Sequence, residues 1–262
     1  MVGIGEKGMR GARVRADGTT IRWVELPGRE PTRVYVHGLG ASSAAYYTAA
    51  ATHPVLFGYR GLLVDLLGFG LSDRPADLDY TLEQHADLLG EALIQAGVRS
   101  ADVIAHSMGG AVAIVLAARH PELVRRLLLV DANLDPLPPD ASTGSARIRS
   151  YREADFLAYG WDEVIEWAGA HWAATMRLAG REALYRSAVH LANGTRPTMR
   201  QLLLDLPIPR TFLHPAADGK PDGAAELAAS GVRVVPVPDC GHNIMLDNVD
   251  GFAHAVAQAL TA

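Results

Sequence analysis

Residues 105–109 read A-H-S-M-G, between an apolar run, A-D-V-I-A at 101–105, and an alanine-rich stretch that opens with a second glycine. A strand joined to a helix with almost no connecting length forces Ser107 into a strained backbone, tolerable only where the residues two positions away are small. Ala105, Gly109 and Gly110 are that small. Such a turn lifts the serine hydroxyl clear at the carboxyl end of a sheet and points the first amides of the following helix at whatever sits above it. A hydroxyl is a weak nucleophile by itself. It needs a base to take its proton, a group to orient that base, and donors for the oxyanion. His242 suits the base, because it follows the run V-R-V-V-P-V in a loop opening P-D-C-G that returns it to the same end of the sheet.

The elements that must hold these residues alternate along the chain. Short β-branched runs and amphipathic stretches follow one another, which implies an α/β fold with a mostly parallel central sheet flanked by helices. The start differs: G-A-R-V-R, the turn A-D-G-T and T-I-R-W-V-E predict a hairpin, with Asp17-Gly18 supplying the reversal. Further strands are expected at 33–37, 59–65, 101–105 and 126–131. Thr81 and Gln84 predict a capping box for a helix whose apolar face carries Leu82, Ala86, Leu89 and Leu93 and which Gly97 ends. The stretch from Met108 reads as a buried helix stopped by Pro121. Between 133 and 206 the rhythm breaks into a loop and then helical, aromatic sequence, so an α-helical cap is expected there. The core would then comprise 1–132 and 207–262, with strand, helix, strand and helix returning in the second part.

With these residues in place, the chain resembles the α/β-hydrolase superfamily, whose nucleophile elbow is written G-x-S-x-G; here Ala105 stands at the first glycine. H-G-L-G at 37–40 after the third strand, D-L-L-G-F-G-L-S at 65–72 after the fourth and C-G-H at 240–242 after the last fall in the family's order. The resemblance implies an oxyanion hole formed by the amides of Leu39 and Met108, each donor worth about 3 kcal/mol toward the transition state. Gly38 and Gly40 would let that backbone approach the substrate. It implies two places for the acid that orients His242: Asp218, after the seventh strand, and Asp131, closing the sixth, the alternative position used by some members.

Other residues invite plainer readings. His37 and His106 flank the glycine loop and the serine, and are expected to hold those loops by hydrogen bonds rather than to titrate. Cys240 reads as a loop filler, since a lone thiol has no redox partner. Trp161, Trp167, His171, Trp172 and Met176 either pack the cap or line a pocket; Gly38, Trp161 and Trp172 are taken as substrate-binding. The ten histidines include no H-x-x-x-H pair, and G-F-G-L-S-D lacks the dinucleotide fingerprint, so neither a metal nor a cofactor is expected.

Bulk properties bound the partners. The 262 residues suffice for one large domain, and a net charge of −5 with scattered arginines argues against nucleic acid. Apolar runs fall short of the roughly 18 residues a membrane span needs, and M-V-G-I-G-E-K-G-M-R lacks the apolar core of a signal peptide, so a cytoplasmic protein without membrane association is expected. Abundant Arg beside only two Lys suggests a GC-rich bacterial source. The resulting expectation is a cofactor-independent serine hydrolase acting through an acyl-enzyme on an ester, lactone or thioester of a small, uncharged, mostly apolar molecule. The same triad would serve carbon–carbon bond hydrolysis, perhydrolysis or acyl transfer. Serine disfavours the aspartate-nucleophile chemistry of dehalogenases and epoxide hydrolases. A non-catalytic ligand-binding module on the same fold is the reading from another class.

Overall fold

Eight strands form one sheet in the order β1-β2-β4-β3-β5-β6-β7-β8 in a computed structural model that describes residues 9–138 and 140–261. Most of the stretch read for a signal peptide, and one proline of the loop after residue 133, lie outside the described residues. β1 (Met9–Arg13) and β2 (Thr20–Leu26) make the expected hairpin, in register from Met9↔Val24 to Arg13↔Thr20. Its connection closes around Asp17, whose carboxylate accepts from the Thr19 amide at 2.9 Å. β3 (Arg29–Val36), β4 (Tyr59–Asp65), β5 (Ala101–His106), β6 (Val124–Val130), β7 (Arg210–Pro215) and β8 (Val232–Val237) run parallel to one another. Their amino-terminal limits extend beyond the apolar runs in β3 and β6, because the ladder continues wherever a neighbour offers a pairing partner.

The period of two along the strands divides the core. Val34, Val36, Val103, Ala105, Leu127 and Leu129 pack on the face covered by α2 (Leu82–Gln95) and α3 (Met108–Arg119). Tyr35, Leu63, Ile104, Leu128 and Val130 pack on the other, against α1 (Ser43–Ala51) and α12 (Val249–Thr261). Strands buried on both faces need continuous apolar runs, which is why β5 and β6 lack polar alternation. α1 was not foreseen: the sequence there reads as the tail of the glycine loop. Thr81 caps α2 by accepting from the Gln84 amide at 3.0 Å, but the Gln84 side-chain oxygen has no partner among the described residues, so only half of the expected capping box forms.

Between β6 and β7 a loop leads into a run of helices: α4 (Gly144–Arg149), α5 (Glu153–Asp155) with a wide turn over Phe156–Gly160, α6 (Trp161–Trp167), α7 (Ala170–Met176), α8 (Arg181–Asn193) and α9 (Met199–Asp205). α8 is tied to the core where His85 of α2 meets the Ser187 hydroxyl at 2.9 Å. Burial holds the His85 pKa down to about 3, so the ring is neutral. After β7 come α10 (Ala224–Ala229) and, beyond β8, α11 (Ile244–Asp247). No helix among the described residues is long and apolar enough to cross a membrane.

Candidate active site

β5 ends at His106 and α3 begins at Met108, leaving Ser107 alone to make the reversal with φ 51° and ψ −121°. This is the left-handed half of the map, costly for a residue with a side chain, and two things hold it there. The Ser107 amide donates to the Val130 carbonyl of β6 at 3.0 Å. Around it the packing leaves no room: a side chain at Gly109 would collide with the backbone of His37, and one at Gly110 with Ala132. Gly38 is equally confined, lying against the Ser107 Cβ and the His106 ring. The Met108 amide, first in its helix, has no acceptor inside it.

The glycine loop after β3 is fixed by a histidine whose tautomer follows from its partners. The His37 Nε2 accepts from the Leu66 amide at 3.0 Å, so its Nδ1 carries the hydrogen and donates to the Gly38 carbonyl at 2.7 Å. In a trans peptide the carbonyl of residue 38 and the amide of residue 39 point in opposite directions, so anchoring the first aims the second away from His37. The indole N–H of Trp172 in α7 donates to the Leu39 carbonyl at 2.6 Å, a clamp from the helical segment onto the same loop. Asp65, closing β4, accepts from the Ser43 amide at 2.7 Å and the Leu71 amide at 2.8 Å; the D-L-L-G-F-G-L-S stretch is therefore an anchor for α1 and for this loop.

His242 sits in the loop between β8 and α11. Its Nδ1 lies 2.6 Å from Asp131 Oδ2, which leaves Nε2 free to act as a base. Asp131 takes φ 43° at the end of β6 and is pinned by its amide to the Leu213 carbonyl at 2.8 Å. Asp218, the other acid considered, is exposed on the turn after β7 and makes no hydrogen bond to His242 among the described residues. Of the two carboxylates considered, Asp131 is the one within hydrogen-bond distance of His242 among the described residues.

His106 also meets this loop. Its Nε2 donates to the His242 carbonyl at 2.9 Å, and the two rings lie 4.5 Å apart between centroids. Its Nδ1 is buried and unpartnered among the described residues. Burial first, and then the neighbouring His242, hold the His106 pKa well below the usual histidine value; burial does the same for His37. Both rings are neutral supports. Burial raises the Cys240 thiol, which stays protonated and donates to the Val237 carbonyl at 3.3 Å.

A cavity of about 490 Å³ opens above Ser107, and His242, Gly38, Leu39 and Trp172 all border it. Helical-segment residues Gly169, Ala170, His171 and Leu191 form part of its wall. Trp161, expected to touch substrate, is not among the lining residues: it is buried edge-on against Phe156, with the Arg181 guanidinium 5.4 Å from its ring. Residue type and helical spacing could not separate it from Trp172. Asn133 was missed altogether: its Oδ1 accepts from the Ser107 hydroxyl at 3.4 Å. The one signal available was its place two residues beyond Asp131. Among the described residues no group of histidine, cysteine and carboxylate side chains could hold a metal ion.

A family model described as alpha/beta hydrolase fold matches residues 34–159. The probable lysophospholipase BODYGUARD 4 of Arabidopsis thaliana is 36% identical over 144 residues, 53% of this chain and 34% of that protein. The 2-hydroxymuconate semialdehyde hydrolase of Pseudomonas sp. (strain CF600) is 38% identical over 96 residues, 36% of this chain and 34% of that protein. The putative carbamate hydrolase RutD of Stutzerimonas stutzeri (strain A1501) is 31% identical over 180 residues, 67% of this chain and 65% of that protein. The chain thus spans about a third of the length of the first two. Among solved structures, an esterase from Exiguobacterium antarcticum superposes with a TM-score of 0.72 at 20% identity, over 94% of this chain and 97% of that one. The epoxide hydrolase CorEH does so at 0.76 and 18% identity, over 97% and 98%. At these identities the structural likeness is one of fold.

Proposed function

We propose that this chain, which has the α/β-hydrolase fold, is a serine hydrolase with Ser107 as nucleophile, His242 as base and Asp131 as the acid that orients it. The observation that carries this reading is the 2.6 Å contact between His242 Nδ1 and Asp131, made beside a cavity that Ser107 and His242 both border. On substrate binding Ser107 turns from Asn133 toward His242 Nε2, loses its proton to that nitrogen and attacks the carbonyl. The amides of Leu39 and Met108 receive the oxyanion. His242 then protonates the leaving group and activates the water that hydrolyses the acyl-enzyme. No step requires a cofactor.

The substrate is a neutral ester, lactone or thioester. Among the described residues none that lines the cavity is Asp, Glu, Lys or Arg, and burying a carboxylate or phosphate without a counter-charge costs several kcal/mol. Residues 133–206 act as a cap over the nucleophile, and the Trp172 clamp makes closure of that cap part of holding the Leu39 loop.

A fluorophosphonate probe tests the reading. Stoichiometric labelling of the wild-type protein, lost in Ser107→Ala, supports it. Folded wild-type protein that takes no label overturns it in favour of a ligand-binding module.

A further inference from the structure

The β6 loop carries two polar side chains toward the nucleophile, and the acid is only one of them. Asp131 turns to His242, while Asn133, two residues on, meets Ser107. Asn133 has one amide oxygen engaged by the Ser107 hydroxyl and two N–H donors with no partner among the described residues. Thr143 and Ser145 border the same cavity. Ser145 is 7% exposed, and neither hydroxyl makes a side-chain hydrogen bond among the described residues.

We propose that Asn133, Thr143 and Ser145 form a hydroxyl-recognising subsite, which makes the protein selective for neutral substrates carrying a hydroxyl within a few bonds of the scissile carbonyl. This rests on the hydrolase reading above. An alkyl chain laid against these residues would bury their amide and hydroxyl groups unpaired, and an anion would find no Lys or Arg among the described lining residues. A hydroxyl both donates and accepts, and so can pair with an amide and with an alcohol. It also has a consequence for the nucleophile. A substrate hydroxyl that donates to Asn133 Oδ1 competes with the long Ser107 hydrogen bond to that oxygen and favours the turn of Ser107 toward His242, so recognition and activation share one amide.

The test compares two ester pairs: p-nitrophenyl 3-hydroxybutyrate against p-nitrophenyl butyrate, and 2-hydroxyethyl butyrate against propyl butyrate. Wild-type protein is expected to favour the hydroxylated member of at least one pair by roughly fivefold to tenfold in kcat/KM. Asn133→Leu should bring that ratio close to one, and Ser145→Ala, which removes only an oxygen, should lower it by a smaller factor. Ratios unchanged in both variants, no preference in either pair, or no turnover of any of the four esters by protein that takes the fluorophosphonate label would each overturn the subsite. Failure to take the label would instead overturn the hydrolase reading.

Discussion

His242 Nδ1 and Asp131 Oδ2 meet at 2.6 Å across 111 residues of sequence, and this contact fixes which imidazole nitrogen carries the proton. With Nδ1–H committed to the carboxylate, the lone pair of Nε2 is the one available to a hydroxyl.

On the proposed mechanism, Asp131→Asn should lower kcat by about 10³–10⁴, since an amide can hold the wrong tautomer. Asp218→Asn should stay within about twofold of wild type. Ester turnover by both variants checks the assignment, and the reverse order of losses would return the acid to Asp218.

His106 is a positioning residue: its N–H holds the carbonyl of the base and its ring packs on the same imidazole. His106→Leu should reduce kcat by about tenfold to a hundredfold with little change in KM, as expected when a reacting group is misplaced by a fraction of an ångström. His106→Gln, which retains a donor, should recover part of the loss. Equal kinetics for the two variants would count against the hydrogen bond.

The elbow stores backbone strain of order 1–3 kcal/mol at Ser107. Ser107→Gly and Ser107→Ala both remove the hydroxyl, but only glycine accepts φ 51° freely. Thermal unfolding should therefore place Ser107→Gly about 2–4 °C above Ser107→Ala for each kcal/mol relieved. Identical melting temperatures would mean that the bend carries no such cost.

Acid should weaken the fold through His85. The unfolded chain binds a proton on this ring below pH 6.5, whereas the folded chain binds it only near pH 3, so the unfolded state holds more protons between those values. The stabilisation is present above pH 6.5 and is lost as the pH falls through that window, by about 2 kcal/mol at pH 5 from this residue alone. Urea unfolding at pH 7 and pH 5 should give a smaller difference for His85→Gln than for wild type. The same pH dependence in both would remove His85 from the account.

Trp172 and Trp161 should separate activity from stability. Trp172→Phe keeps an aromatic ring but loses the N–H that holds the Leu39 carbonyl, and should cost turnover more than stability. Trp161→Ala should destabilise by about 3–5 kcal/mol, as for other buried aromatics, with the smaller effect on KM because the residue lies away from the cavity wall.

Much of this molecule was legible along the chain because its information is local. The bend at Ser107 needs small residues within two positions, a parallel strand needs an unbroken apolar run, and a glycine or proline ends a helix within one turn; each can be read in a window of a dozen residues. Where local patterning was silent, the reading ran short: α1 lies in an alanine-rich stretch after the glycine loop, and Trp161 and Trp172 share residue type and helical setting.

The sequence alone therefore determined the α/β architecture and the tight turn that carries Ser107 between β5 and α3. Only the tertiary structure decided that Asp131 rather than Asp218 meets His242, that Asn133 reaches the nucleophile, and that one tryptophan borders the cavity while the other is packed away. Those outcomes depend on the backbone reversal at Asp131 and on how helices far apart in the chain settle over the sheet, and such distances are set by packing among remote segments, which no short stretch of residues encodes.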